Sequence, residues 1–284
     1  MKLLRYGPLG QEKPGLLDAQ NQVRDLSALV DDIAGDTLLP HHLQRLRELD
    51  VSSLPKVAGV PQHELRLGCC VAGVGKIVCI GLNYADHAVE AGLPVPTEPV
   101  LFAKWTSALS GPDDPLQLPR GSTQTDWEVE LAVVIGQGGR YIDEADAMQH
   151  VAGYCIMNDV SERSFQLHRG GTWDKGKGCD SFAPLGPWLV TTDEIANPHD
   201  LHLWLDVDQQ RYQDGSTQTM VFKLPYLIHY LSQFMSLQSG DVISTGTPPG
   251  VGMGHQPPVY LRAGQTVRLG VQGLGVQTQR VLAS

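Results

Sequence analysis

Between positions 125 and 136 polar and apolar residues alternate and then give way to an unbroken apolar run, Thr125-Asp126-Trp127-Glu128-Val129-Glu130-Leu131-Ala132-Val133-Val134-Ile135-Gly136. A period of two predicts a strand that points Asp126, Glu128 and Glu130 to one face and packs Trp127 and Val129 on the other. A second apolar run, Tyr154-Cys155-Ile156-Met157, leads into Asn158-Asp159 and predicts a strand that can bring Asp159 to the same point. Further short strands are expected at 2–6, 15–18, 22–24, 77–80, 100–105, 115–118, 201–207 and 209–213, with two more closing the chain around a turn at 273–275. Helical spacing is sparser. It predicts helices over 27–33, after Pro40, where Leu43, Leu46 and Leu49 recur, and over 143–150, 161–168 and 224–236, with a short one ending at Gly92. Many short strands and few helices describe an α+β protein that is mainly β. Residues 1–65 read as a small N-terminal α/β domain, a stretch rich in Ser, Pro and Gly over 51–61 leads out of it, and 70–284 form the main domain.

Composition narrows the function classes. The 284 residues carry 42% hydrophobic and 18% charged residues, an ordinary globular balance with room for a large core. A formal charge of −10 and the lack of any basic run argue against nucleic-acid binding. Gly7 and Pro8 follow the opening Met1-Lys2-Leu3-Leu4-Arg5-Tyr6 at once, so no signal peptide or membrane helix is expected and the chain is assigned to the cytosol. Five cysteines without a C-x-x-C spacing predict free thiols rather than disulfides or a zinc knuckle. His41, His42 and His63 have no acidic partners at ligand spacing and read as surface residues.

The candidate chemistry begins with the acids. Carboxylates crowded beside a buried strand repel one another and resist desolvation unless a cation sits between them. Hard oxygen ligands of this kind suit magnesium, manganese or calcium rather than zinc, and three of them leave coordination positions free for a substrate. His87 and Glu90 stand three apart on the short helix before Gly92, where the acid can hold the imidazole tautomer and raise its basicity. The polar loop 169–180 is rich in glycine and lets a lysine approach a ligand closely, but it lacks the spacing of a phosphate loop. Thr245 and Thr247 lie at the mouth of a Gly/Pro loop whose hydroxyls and amides can hold a ligand carboxylate.

Taken in order, these segments resemble the fumarylacetoacetate hydrolase family. The resemblance is carried by Gly81-Leu82-Asn83-Tyr84 with His87 and Glu90, Phe102-Ala103-Lys104, Asp126 to Glu130, Asn158-Asp159-Val160-Ser161, Gln166, Gly176-Lys177-Gly178 with Asp180, and the run Ser244 to Gly252, over about residues 70–282. It implies a mixed β-sandwich roll, usually a homodimer, and a magnesium or manganese ion held by Glu128, Glu130 and Asp159, with Asp126 behind them. It further implies His87 and Glu90 as a catalytic dyad on a lid and Lys177 as an active-site lysine. Arg163, Gln166, Thr247, Asn83 and Tyr84 are the implied substrate contacts. Ser164 departs from the family, which usually has an acid after the arginine. The expected activity is hydrolysis of a carbon–carbon bond in a small 2,4-diketo acid. The best guess is 2,4-diketo-3-deoxy-L-rhamnonate or L-fuconate, giving pyruvate and lactate. Acylpyruvase, oxaloacetate decarboxylase, hydroxymuconate-type isomerase and ureidoglycolate lyase are alternatives on the same constellation. A sugar-acid-binding protein would keep the fold without needing the dyad.

Overall fold

The computed structural model describes residues 1–57, 64–90, 92 and 94–284, so His63 and part of the 51–61 stretch lie outside the described residues. As expected, the chain is mainly β with a few short helices. Its strands are β1 (Lys2–Tyr6), β2 (Lys13–Leu17), β3 (Val23–Asp25), β4 (Ile77–Gly81), β5 (Val100–Lys104), β6 (Leu109–Ser110), β7 (Leu116–Gln117), β8 (Thr125–Asp126) and β9 (Val129–Ile135). There follow β10 (Val151–Asn158), β11 (Ser161–Glu162), β12 (Ala183–Thr191), β13 (His202–Val207), β14 (Gln210–Ser216), β15 (Val242–Ser244), β16 (Thr266–Val271) and β17 (Gly275–Leu282). The helices are α1 (Pro40–Arg47), α2 (Ala85–Glu90), α3 (Arg163–His168), α4 (Asp174–Lys177) and α5 (Leu224–Phe234).

One ten-stranded sheet runs in the order β3-β2-β1-β12-β10-β9-β15-β4-β5, with β6 beside β12; a five-stranded sheet runs β14-β13-β16-β17-β7; and β8 pairs with β11 alone. The two large sheets face each other where β13 and β16 meet β9 and where β17 meets β10 and β12. This sandwiching explains why β9 is buried at all seven positions, on both faces, instead of showing a wet side. The first 65 residues add β1, β2 and β3 to the same large sheet through Lys2↔Val190 and Leu3↔Leu189, and Leu3, Leu16, Leu26 and Leu38 belong to the one large core cluster. Helix α5 packs Leu224, Leu227, Ile228 and Leu231 inward at helical spacing.

Several local expectations are corrected. The stretch 27–33 is a series of turns, with Leu29 exposed and Ile33 buried; although Leu29 and Ile33 have helical spacing, the Ile33 backbone is engaged outside a helix, its N–H donating to Asp32 Oδ1 at 2.8 Å and its carbonyl accepting from Ala72 N–H at 2.9 Å. Over 143–150 only the single 3-10 turn Ala147–His150 forms. The predicted strand from Thr125 breaks at Trp127 and Glu128 into β8 and β9, and the first two residues of the 161–168 helix are instead the partner strand of β8. Strand β12, nine residues long and central, was hidden by Pro184, Gly186 and Pro187, which argue against a central strand. A shift of register opposite β10, between Tyr154↔Val190 and Ile156↔Gly186, accommodates them. All five cysteines are free. No described helix is long and apolar enough to cross a membrane.

Candidate active site

Strand β9 and the end of β10 are antiparallel neighbours, with Met157 opposite Glu130 and Asn158 opposite Val129, so Asp159 emerges beside the two glutamates. Carboxylate oxygens of Glu128, Glu130 and Asp159 all lie within 4.8 Å of one another, and all three residues are buried. The backbone pins the arrangement: Asp159 N–H donates to Glu128 O at 2.9 Å, and Glu128 N–H to Asn158 Oδ1 at 3.2 Å.

Three buried cations surround these acids. Lys177 Nζ donates to Glu128 Oε2 at 2.7 Å and to Asp159 Oδ2 at 2.8 Å. Lys104 Nζ donates to Asp159 Oδ1 at 2.5 Å and to Val160 O at 3.0 Å. Arg163 bridges Asp126 Oδ2 at 2.8 Å, Glu128 Oε1 at 2.6 Å and Gln166 Oε1 at 3.0 Å. Burial alone would raise the Glu128 carboxyl, but Lys177 and Arg163 prevail and hold it down at about 2. Burial would likewise strip the proton from Lys177, and Asp159 and Glu128 reverse this, keeping its ammonium charged.

Glu130 has no such relief. Its Oε2 accepts from Ser244 Oγ at 2.5 Å and from Gly246 N–H at 2.9 Å, both neutral donors, and among the described residues it makes no ion pair. Burial and the charges of Asp159 and Glu128 push its carboxyl well above the usual range. A buried acid repelled by two neighbours 4.8 Å away or less is what a divalent cation would stabilise, and the all-carboxylate donor set fits magnesium or manganese chemistry.

The dyad faces the same space. His87 Nδ1 lies 3.0 Å from Glu90 Oε2, and Gly250 N–H donates to Glu90 Oε1 at 2.9 Å. Burial opposes ionisation of Glu90, but these hydrogen bonds and the imidazoles of His87 and His255 hold its pKa below the ordinary value. With Nδ1 directed at the acid, His87 Nε2 is free to meet a ligand. A cavity of about 750 Å³ is lined by His87, Glu90, Glu128, Glu130, Arg163, Gln166, Lys177 and Thr247, with apolar walls from Phe102, Trp173, Leu82, Leu167 and Val251.

Local structure explains how the residues arrive. Helix α4, in a loop by sequence pattern, delivers Lys177; Gly176 is required there because a Cβ would lie 2.4 Å from Glu162 O and 2.5 Å from Gln166 N. The turn after Val251 places Gly252 N–H 2.6 Å and Met253 N–H 3.0 Å from the Asp126 carboxylate, and a Cβ on Gly252 would meet Val259 O at 2.0 Å. Asp126 therefore sits behind the acid cluster and anchors Arg163. Thr247 Oγ1 donates to Val129 O at 2.9 Å and accepts from Gln213 Nε2 at 2.8 Å. Ser164, the departure from the family pattern, turns away and donates to Glu162 Oε1 at 2.7 Å.

Two expected substrate contacts are placed elsewhere. Asn83 is fully buried outside the cavity lining, and its carboxamide is consumed by Thr245 O at 2.8 Å, Phe222 O at 3.1 Å and Phe222 N–H at 2.8 Å, tying three loops together. Tyr84 is also fully buried and off the lining, in a bridge with Met220. Lys104 closes the apolar run 100–104, and that position is the one signal in the sequence for a buried lysine here. His255 and Gln213 had no signal in sequence.

Comparison with known proteins gives a family. The family model for the fumarylacetoacetate (FAA) hydrolase C-terminal region matches residues 76–282. A Burkholderia multivorans protein, provisionally named a hydrolase, is 62% identical over 285 residues and covers 100% of both chains. The solved structure of fumarylacetoacetate hydrolase from Exiguobacterium antarcticum superposes with a TM-score of 0.86 at 32% identity over 100% of each chain. That of 2-hydroxyhepta-2,4-diene-1,7-dioate isomerase from Mycobacterium marinum gives 0.77 at 29%, covering 100% of this chain and 99% of the other. Sequence, fold and buried acid cluster together show that the chain belongs to the fumarylacetoacetate hydrolase family.

Proposed function

We propose that the protein hydrolyses the carbon–carbon bond between C3 and C4 of a small 2,4-diketo acid, 2,4-diketo-3-deoxy-L-rhamnonate or L-fuconate, and releases pyruvate and lactate. The observation that carries this reading is the convergence of Glu128, Glu130, Lys177 and the His87–Glu90 pair on one cavity, with a carboxylate oxygen of Asp159 within 4.8 Å of those of the two glutamates. Glu128, Glu130 and Asp159 would hold a magnesium or manganese ion, which would supply Lewis-acid polarisation of a bound 2-oxo acid. His87 Nε2, with its tautomer set by Glu90, takes a proton from water, and the hydroxide formed adds to C4. The C3–C4 bond then breaks, its electron pair passes to C3 as the enolate of pyruvate, and a proton returned to C3 completes the products. Lys177, held charged, offers its ammonium to the oxygen on which negative charge develops. Arg163 and Lys104 fix the acids so that this requires no rearrangement.

The dyad separates this reading from a sugar-acid-binding protein, which has no need of a general base over its ligand. Comparison of kcat/KM over diketo sugar acids, acylpyruvates, oxaloacetate, a hydroxymuconate-type diacid and ureidoglycolate tests it. Pyruvate release from the diketo acids above all others is expected; isomerisation of the diacid without bond cleavage would overturn it.

A further inference from the structure

Beyond the acids and the dyad, one fully buried side chain of the five-stranded sheet reaches the strand that presents the acids. Glu128 and Glu130 share a face only while Val129 between them stays extended. On one side β10 supports the strand, with Asn158 opposite Val129. On the other side β15 stops at Ser244, opposite Ala132, so Val129 has no strand partner there. Side chains serve its backbone instead: Val129 N–H donates to Gln213 Oε1 at 2.8 Å, and Val129 O accepts from Thr247 Oγ1 at 2.9 Å.

Gln213 closes these bonds into a ring. Its Nε2 donates to Thr247 Oγ1 at 2.8 Å and to Pro248 O at 2.8 Å, which spends both amide hydrogens. The Val129 N–H on one side and the Pro248 carbonyl on the other fix which end of the carboxamide is which. Without Gln213 both of these backbone groups would lose a partner that buried backbone needs.

The reach of Gln213 is built into the fold. It lies on β14, an edge strand of the five-stranded sheet, yet it is fully buried. Opposite β13 the register passes from Leu205↔Gln213 to Asp206↔Arg211 and leaves Tyr212 unopposed, a bulge. Neighbours in a regular strand point to opposite faces. Here Tyr212 packs on Trp127, with ring centroids 4.7 Å apart, while Gln213 bonds Val129 two residues further along the acid-bearing segment. The strand is also pressed onto the loop that carries Thr247, where a Cβ on Gly215 would lie 2.5 Å from Pro248 Cβ.

Resting on the reading of Glu128, Glu130 and Asp159 as metal ligands, we infer that Gln213 is a positioning residue: it takes the place of the missing strand at Val129 and so holds Glu128 and Glu130 at the spacing a divalent ion needs. The test follows manganese binding to the full chain through the electron-spin signal of the free ion, at a temperature where every variant is folded, with Tm measured alongside. Gln213→Met, of similar volume, is expected to raise the manganese Kd by about 10- to 100-fold, the usual effect of losing a group that orients a ligand. Ser232→Ala removes an equally buried polar group, one that accepts from Ile142 N–H on α5, and is expected to lower Tm while leaving Kd unchanged. Should Gln213→Met fail to fold, Thr247→Val opens the ring at another corner and Thr247→Ser keeps its hydroxyl; a rise in Kd of about threefold is expected for the first and none for the second. A Kd that Gln213→Met leaves unmoved while Tm falls, or a Thr247→Ser protein that binds as weakly as Thr247→Val, overturns the positioning role and leaves the bond-cleavage reading intact. No manganese bound by the wild type overturns the metal reading and this role with it.

Discussion

Lys104 Nζ lies 2.5 Å from Asp159 Oδ1, and neither side chain reaches solvent. The pair joins edge strand β5 to the acid that ends β10, so it couples the rim of the large sheet to the candidate metal centre. Removing one partner of a buried ion pair leaves an uncompensated charge, which typically costs about 3 kcal/mol or more. Lys104→Met is therefore expected to lower the unfolding free energy by about that amount in urea titrations of the metal-free protein. A loss within the scatter of surface substitutions would show that Lys177 alone suffices for Asp159.

Metal occupancy is expected to appear in stability as well as in turnover. An ion placed among Glu128, Glu130 and Asp159 relieves the repulsion that pushes Glu130 upward. Addition of magnesium or manganese at a hundredfold excess over its Kd to chelator-treated protein should raise Tm by about 5 °C and restore pyruvate release. A melting curve indifferent to both ions would remove the metal from the account.

Substitutions in the dyad separate base from scaffold. His87→Ala should slow turnover by about 100-fold, and Glu90→Gln by about tenfold, since the amide can still orient the ring but not favour its protonation. Both variants should keep the metal-induced rise in Tm, because neither side chain belongs to the acid cluster. Parallel loss of the thermal shift would place His87 among the ligands instead.

One separable part of the acid sensitivity should lie in the N-terminal segment. Burial would raise the Glu12 carboxyl, but Arg66, 2.8 Å away, and Arg5 hold it below its ordinary 4.5. A folded pKa lower than the unfolded one means that the stabilisation is complete above pH 4.5 and is lost as pH falls toward the folded value. Arg66 also grips Asp114 at 2.7 and 2.8 Å, so this loss loosens the contact of residues 7–12 with Arg66 and, through it, with Asp114. Melting curves of the wild type should drop below pH 4.5, and Glu12→Gln should flatten that drop while lowering stability at neutral pH. Identical slopes would assign the acid limb to other carboxylates.

Much of the site was legible because its residues sit on strongly patterned segments. The acids at 128 and 130 share a face by the period of a strand, and the spacing of His87 and Glu90 puts them on one side of a helical turn, where Nδ1 and Oε2 meet at 3.0 Å. Asn83 and Tyr84 fall outside the cavity lining: the Asn83 carboxamide is spent on Thr245 and Phe222, and the Tyr84 hydroxyl is buried without a hydrogen-bond partner among the described residues. Strand β12 was missed because prolines that forbid a regular ladder are accommodated by a register shift visible only with β10 beside it.

Taken alone, the chain's alternation of acids and apolar residues determined that a mainly β protein would carry carboxylates in its interior, since period and burial are local properties. Tertiary structure decided which distant groups answer them. Lys104, Arg163 and Lys177 come from three separate elements, and their convergence depends on sheet order and register, which no short window of sequence encodes. His255 is a further case: nothing in its neighbourhood along the chain marks it, yet its ring packs edge-on against Tyr212 and the residue joins the cavity lining.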